Sequence, residues 1–521
     1  MIMEIKRPNL LFIMTDQHRF DALGANGNDV VQTSNLDALA LSGANVQGYF
    51  TNAPVCVPSR CTLFTGRYPH SHCIRENYNF LEAGREIHLF RVLKQAGYKI
   101  GYCGKNHLLD AQEFENFDYT GYMDDSPRAT AETTLHEKYI ANSEALGVPF
   151  GKHKIWRTGL VHDEPKDASR AWLTAQAGAE FLKQQDGQDP FALCVSFKDP
   201  HVPHMALREY YDCIDQKQIK LYPSETDDER ALKARRWAIK RAAFHAEEAT
   251  AKDIRHYIAV YYAMIGWVDT QIGELLETLR EQGLEQNTLI VFTSDHGDFN
   301  FEHGLAKKDL VLVDSLLRVP LMVSWPGRIQ PKTLNETFVE EVDIMPTLLE
   351  LLEIETPVGV QGTSFAPLLR GETAMHKDAV FAEACPPYLY NKYPDYEAFA
   401  AAHGGRDYAP FNVPGDFNKS IREKDFRYTW YGTGEEELYD HRTDPHELNN
   451  LADDPAYADE KNRLKLRLLE WNALTEDPLD PNLRRDLQEQ YSNWNPLPIQ
   501  PGHHYSPLGK ETIHMKLAKP V

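Results

Sequence analysis

Short, unbroken apolar runs alternate along this chain with longer segments of helical spacing. LLFIM (10–14), FALCVSF (191–197) and TLIVF (288–292) carry almost no polar residue, as strands buried on both faces of a parallel sheet do. SNLDALALSG, HLFRVLKQAG and VDTQIGELLETLREQG instead place apolar residues three and four apart, one face of a helix. Their alternation from residue 8 to about 370 predicts an α/β fold, a large and mostly parallel sheet flanked by helices. Near residue 375 the pattern changes: AVFAEA, KDFRYTWYG and EELYD alternate like strands of a smaller antiparallel sheet, and KNRLKLRLLEWNAL follows as a helix. The expected organisation is a main α/β unit over 1–375, a C-terminal α+β subdomain over 376–475 and a proline-rich tail over 476–521. Within the first unit, residues 110–170 read as an irregular insertion over a pocket.

Composition narrows the function classes. With 521 residues, 42% of them hydrophobic, the chain can bury a substantial core. Its formal charge of −22 argues against nucleic acid, because there is no basic stripe to neutralise phosphates. The one basic stretch, ERALKARRWAIKRAAFHAEEATAKDIRH (229–256), reads as a solvated helix face. No apolar run reaches membrane-spanning length, so no membrane association is expected, and MIMEIKRPNLLFIMTD lacks the apolar core of a signal peptide. Seven scattered cysteines fit a reducing compartment. The cytoplasm is the expected location, or the periplasm if a leader has been removed.

The chemistry gathers around CVPSRCTLFTGR, residues 56–67. Pro58 suits the first turn of a helix, which would put Cys56 at a helix N-terminus, favourable to an anion or thiolate. Arg60, one turn on, offers a fork of donors suited to a tetrahedral oxyanion. The overlapping Cys61–Arg67 spacing is that of a cysteine phosphatase loop, but Phe64 stands where such a loop needs glycine. Two apolar runs end in acids, at Asp16 and at Asp295 beside His296; ligands of open α/β sheets bind beyond strand C-termini, so these ends can converge on one metal. Lys105 and His107 would share a face if their segment is extended. A turn after FALCVSF presents His201 in a Pro-His pair, with His204 at best a pocket residue. Lys308 and its neighbour Lys307 complete the candidates.

CVPSRCTLFTG resembles the C-x-P-S-R…T-G motif of the type I, formylglycine-dependent sulfatases of the alkaline phosphatase-like superfamily. The resemblance extends to ELYD…DPHELNNLA and so to about residue 475. It implies a sulfate ester hydrolase in which Cys56 is converted to formylglycine, whose hydrate attacks sulfur. By the same resemblance Arg60 holds the hydrate and supports the metal site, Lys105 and His107 (G-K-x-H) contact the sulfate and the formylglycine, His201 protonates the leaving alcohol, and Lys308 is the catalytic lysine, thirteen residues after Asp295. The implied metal ligands are Asp16, Asp295, His296 and modified Cys56. Gln17 stands where many sulfatases carry a second aspartate and can add an amide oxygen. Ca2+ is the expected ion and Mn2+ the alternative, since a histidine ligand suits manganese. The expected partners are a sulfated small molecule or oligosaccharide, preferably a carbohydrate, and a formylglycine-generating enzyme; a homo-oligomer is compatible. Two other readings stand beside it: a phosphonate monoester or phosphodiester hydrolase of the same superfamily, which pairs a single Asp with an Asp-His, and a non-catalytic binder of sulfated ligands. Residues 72–80, 110–170 and 385–415, and the tail with His503 and His504, are the segments from which substrate selectivity would come.

Overall fold

A computed structural model describes residues 7–75, 77, 81, 86–124, 130–145, 159–244, 249–308, 311–384 and 417–476. An eight-stranded sheet forms the centre, with strands β1 (Asn9–Asp16), β2 (Ala44–Val46), β3 (Lys99–Gly104), β4 (Tyr119–Met123), β5 (Phe191–Pro200), β6 (Thr288–Ser294), β7 (Leu321–Ser324) and β8 (Lys332–Leu334). Their spatial order is β8-β2-β7-β6-β1-β5-β3-β4. From β6 across to β4 every pairing is parallel, whereas β7 runs antiparallel to both neighbours. The expected architecture, a large mostly parallel sheet with a smaller antiparallel one, is the observed one.

β1 explains why the sequence shows unbroken apolar runs. Leu10, Phe12 and Met14 enter one core cluster with Phe64, Phe90 and Leu348, while Leu11 and Ile13 enter another with Phe181, Leu275 and Leu279. Alternate side chains thus meet helices on opposite faces, and both must be apolar. The parallel strands all end on one edge of the sheet: Asp16 lies opposite Pro200, Thr15 opposite Ser294, and Gly104 opposite Ser196. That shared edge is where the candidate residues emerge.

Three expectations change. Residues 110–170 are not wholly irregular, because Tyr119–Met123 closes the sheet as β4, Thr130–Ala145 is a helix, and Leu160–His162 pairs with Met205–Leu207. The basic stretch breaks into the helices Asp227–Ala231 and Arg235–Phe244 and the start of the long helix Ala251–Glu281. It is not simply a solvated face: Lys233 and Arg236 are buried, and Lys233 donates to the Tyr439 hydroxyl at 3.0 Å, docking the stretch onto the C-terminal sheet. That sheet, β9 (Ala379–Ala384), β10 (Asn418–Glu423), β11 (Phe426–Tyr431) and β12 (Glu436–Asp440) in spatial order, is antiparallel throughout. β10, NKSIRE, carries too many polar residues to read as a strand from its pattern. The helix Ala458–Leu474 covers the sheet with Leu464, Leu468 and Trp471. The 385–415 segment, parts of 72–80 and 110–170, and the tail with His503 and His504 lie outside the described residues. Among the described residues no helix is long and apolar enough to cross a membrane.

Candidate active site

The Cys56 helix, Cys56–Thr65, is buried along its whole length and starts at the expected residue. Val55 is extended, Pro58 fits the first turn without losing a helical hydrogen bond, and Gly66 ends the helix at φ 63°. Cys56 therefore faces the C-terminal edge of the main sheet from a helix start. Cys61 and Arg67 build no phosphatase loop: Cys61 is in the core, and Arg67 pairs with Glu86 at 3.0 Å and donates to the Gly359 carbonyl at 2.6 Å.

Asp16, Cys56, Asp295 and His296 converge, each offering a ligand atom within 4.8 Å of the others. The Cys56 sulfur lies 3.2 Å from His296 Nε2 and 3.8 Å from Asp16 Oδ1. Arg60 sets this arrangement. Its guanidinium, fully buried, donates to Asp295 Oδ2 at 2.9 Å, to Asp16 Oδ2 at 3.1 Å, to Ser196 Oγ at 2.8 Å and to the Lys105 carbonyl at 3.2 Å. The expectation of an oxyanion cradle at Arg60 is corrected here, because the fork is taken by protein acceptors and acts as a brace. The brace holds one oxygen of each carboxylate and turns the other, Oδ1, toward His296, at 3.9 Å for Asp16 and 3.7 Å for Asp295.

This donor set fits a divalent cation. Two carboxylate oxygens face one point, and His296 Nδ1 lies 2.9 Å from the Gly297 carbonyl, which holds the ring with Nε2 aimed inward. Gln17 adopts a left-handed backbone, φ 68°, so that its N–H reaches Asp295 Oδ1 at 3.1 Å. Its side-chain NH2 is held by Asp298, which leaves Oε1 facing Lys308 Nζ at 3.2 Å. Asp298 escaped the sequence reading, although it stands in the same SDHGD run.

Two lysines reach the same sulfur. Lys105 is buried, pairs with Asp16 and lies 3.5 Å from Cys56 Sγ; Lys308 lies 2.9 Å from Sγ and 2.9 Å from His296 Nε2. Burial and Asp16 push the Cys56 thiol up, but Lys105, Lys308 and His296 outweigh them and leave it lowered to about 7. Asp16 is likewise held well below the carboxylate range, burial being overcome by Lys105, His201, Lys308 and Arg60. Lys307, at φ 63°, lowers the pKa of His204. His204 is buried against the Tyr257 ring at 4.8 Å, a core position.

Lys105 and His107 do not lie along an extended strand. β3 ends at Gly104, and the chain turns, with His107 at φ 47°. Burial and the cations Lys105 and Arg60 hold the half-buried His107 well below its ordinary pKa. His201 reaches the site from the end of β5, its Nε2 3.9 Å from Asp16 Oδ1 and its Nδ1 2.7 Å from the Val202 carbonyl. Burial and Lys308 hold it well below its ordinary pKa, so its imidazole is uncharged at neutral pH. Arg170, which the sequence did not single out, holds this turn by donating to the His201 carbonyl at 2.7 Å, the Pro203 carbonyl at 3.1 Å and Asp199 Oδ1 at 2.7 Å.

Residues 8–354 match the sulfatase family model, and residues 301–473 match that of the N-sulphoglucosamine sulphohydrolase C-terminal region. The chain belongs to the sulfatase family. It is a sulfuric ester hydrolase with the alkaline phosphatase-like fold. This sulfatase is 27% identical to an arylsulfatase of Clostridium perfringens, over 89% of this chain and 94% of that one. It is 25% identical to an N-acetylglucosamine-6-O-sulfatase of Bacteroides thetaiotaomicron, over 92% and 88% of the two chains. Among solved structures, a phosphonate monoester hydrolase of Agrobacterium radiobacter superposes with a TM-score of 0.75 at 26% identity, covering 90% of this sulfatase and 96% of its own chain.

Proposed function

We propose that this sulfatase hydrolyses a sulfate ester of a carbohydrate, using a formylglycine made from Cys56 and a divalent metal held by Asp16, Asp295, His296 and residue 56, with Gln17 adding its amide oxygen. The observation that carries the proposal is the convergence of those four ligand residues within 4.8 Å, with Lys105 and Lys308 against the same sulfur. Formylglycine would supply, as its hydrate, one hydroxyl to attack sulfur and another to expel the product. The cation, Ca2+ first and Mn2+ as the alternative, would supply Lewis acidity toward the sulfate oxygens.

The chain's own residues do the rest. Arg60 keeps the Asp16 and Asp295 carboxylates aligned, and Lys105 and Lys308 stabilise negative charge on the transferring group. His107, beside Lys105, assists residue 56. His201 donates to the leaving oxygen; since burial leaves it neutral, it takes up that proton as the anionic substrate enters. The carbohydrate reading draws support from relatives such as the N-acetylglucosamine-6-O-sulfatase.

A second reading, a phosphonate monoester or phosphodiester hydrolase, is favoured by Gln17 in place of a second acid and by the likeness to the phosphonate monoester hydrolase. A pocket that only captured sulfated ligand would need neither a nucleophile nor a proton donor. The test is peptide mass spectrometry of residue 56 in protein co-produced with a formylglycine-generating enzyme, followed by assays on sulfated sugars and phosphate diesters. A loss of about 18 Da and preference for sulfated sugars are expected from thiol-to-aldehyde conversion. An unmodified thiol overturns the mechanism, and preference for diesters overturns the substrate class.

A further inference from the structure

Behind the Cys56 helix lies a buried acid that the chemistry above does not use. Glu341 is fully buried in the 3-10 turn Glu341–Asp343, and among the described residues no cation bonds to it. Its neighbours in sequence differ. Glu340 and Asp343 both accept from Lys377, at 2.6 and 2.7 Å. Ionisable groups acting on Glu341 include Asp295 at the end of β6, Tyr49 from the short strand Tyr49–Phe50, and Cys61 from the Cys56 helix. None of the three can carry a positive charge, and an isolated carboxylate is costly in such surroundings.

Counting protons makes the case independently. Ser59 Oγ lies 2.6 Å from Glu341 Oε1 and 2.7 Å from the Asp295 carbonyl oxygen. A hydroxyl carries one proton, so it cannot donate to both a carboxylate and a carbonyl. Thr51 Oγ1 is similarly placed, 2.8 Å from Glu341 Oε2 and 3.0 Å from the Ala53 carbonyl. A proton on Glu341 Oε1 removes the conflict at Ser59: the acid donates to Ser59 Oγ, and Ser59 donates to Asp295 O. Burial, the dominant influence, also pushes this carboxyl well above its ordinary range.

We propose that Glu341 is a neutral carboxylic acid that, through Ser59, fastens the first turn of the Cys56 helix to the Asp295 end of β6, making it a positioning residue for residue 56. The relay ties the segment that presents the nucleophile to the backbone of a candidate metal ligand. Fixed placement of this kind matters because misplacement by about 1 Å can cost about a hundredfold in rate. The catalytic consequence rests on the reading of residue 56 as nucleophile; the protonation state of Glu341 does not. Glu341 also lies 282 residues from Ser59 in sequence, so substituting it leaves the CVPSR motif intact.

The test compares wild type, Glu341→Gln and Glu341→Ala, each with residue 56 checked by mass spectrometry. Infrared difference spectra of wild type against Glu341→Gln should show, at neutral pH, the carbonyl stretch of a neutral carboxylic acid that the substitution removes. Glutamine keeps a donor to Ser59 and an acceptor for Thr51, so kcat should stay within about twofold; alanine should lower kcat by about tenfold or more at nearly unchanged KM. Loss of ionised carboxylate bands in place of the acid band overturns the protonation assignment, and it does so even if no sulfate ester is turned over. A glutamine variant as impaired as the alanine one, or an alanine variant with unchanged kcat, overturns the positioning role.

Discussion

Two clusters of charge in this molecule look alike in composition and differ in arrangement. At the C-terminal edge of the main sheet, Asp16, Asp295 and His296 meet Cys56; where the two sheets join, Asp314, His441 and Glu447 come equally close. In the joint every carboxylate oxygen is taken. Asp314 accepts from Arg427 and Arg422, while Glu447 accepts from Arg427, from His441 at 3.0 Å and from the Asp314 N–H at 2.9 Å. In the active site Arg60 occupies one oxygen of each acid, while the partner oxygens turn to a common point with no cation of the described residues at hydrogen-bond distance, Asp295 Oδ1 accepting only the backbone N–H groups of Gln17 at 3.1 Å and His296 at 3.0 Å. Complete pairing fastens two parts of the fold; half pairing leaves directed charge, which is what a metal and a transferring sulfate require.

The comparison can be broken most severely at the nucleophile. Cys56→Ala should lower turnover by about four orders of magnitude or more, with the melting temperature nearly unchanged, because the side chain supplies chemistry and little packing. Sulfate release and a thermal melt on the same preparation check both halves. Unaltered binding of a sulfated sugar by calorimetry would separate catalysis from capture.

Metal removal comes next. A chelator should reduce activity by about a hundredfold or more, and add-back of Ca2+ or Mn2+ should restore it, the better ion identifying the resident one. The joint should be indifferent to the same treatment, since its carboxylates already have arginine partners; a melt that shifted in a variant lacking the active-site acids would contradict this.

Breaking the joint should show the reverse profile. Arg427→Leu strands Glu447 without its main counter-charge and leaves Asp314 with Arg422 alone of its two arginines, and should cost about 3–5 kcal/mol of stability. The kcat of the folded fraction should remain within about twofold. Denaturant unfolding and active-site titration together measure the split.

The smallest effect is a pH dependence. Burial alone would raise Glu447, but Arg427 and His441 outweigh it and hold the group lowered to about 2 from its ordinary 4.5. A depressed pKa means the folded state binds fewer protons than the unfolded chain. The contribution is therefore present above pH 4.5 and is lost as pH falls from 4.5 toward 2. Melts across that window should steepen in wild type, and Glu447→Gln should flatten the slope.

Much of this was legible along the chain. Unbroken apolar runs announced doubly buried strands, and CVPSR, TD and SDHG marked the residues that meet at the edge of the sheet. Periodicity missed β10, because NKSIRE pairs both edges of its backbone while carrying polar side chains, and it missed β4 because YTGYM is a half-exposed edge strand. Arg170, Asp298 and Glu341 escaped for a different reason. Their roles lie in hydrogen bonds to backbone or side chains far away in sequence, and such partners leave no local signal.

By itself, then, the sequence determined the fold class, the family and the residues that bear chemistry, since apolar period and fixed motif spacing are local properties. Tertiary structure decided which atoms of those residues are free. Whether Arg60 cradles an anion or braces two acids, whether His201 stands charged or neutral, and whether Glu341 keeps its proton depend on burial and on partners brought from distant strands. Those are properties of three-dimensional proximity and desolvation, which residue order alone does not specify.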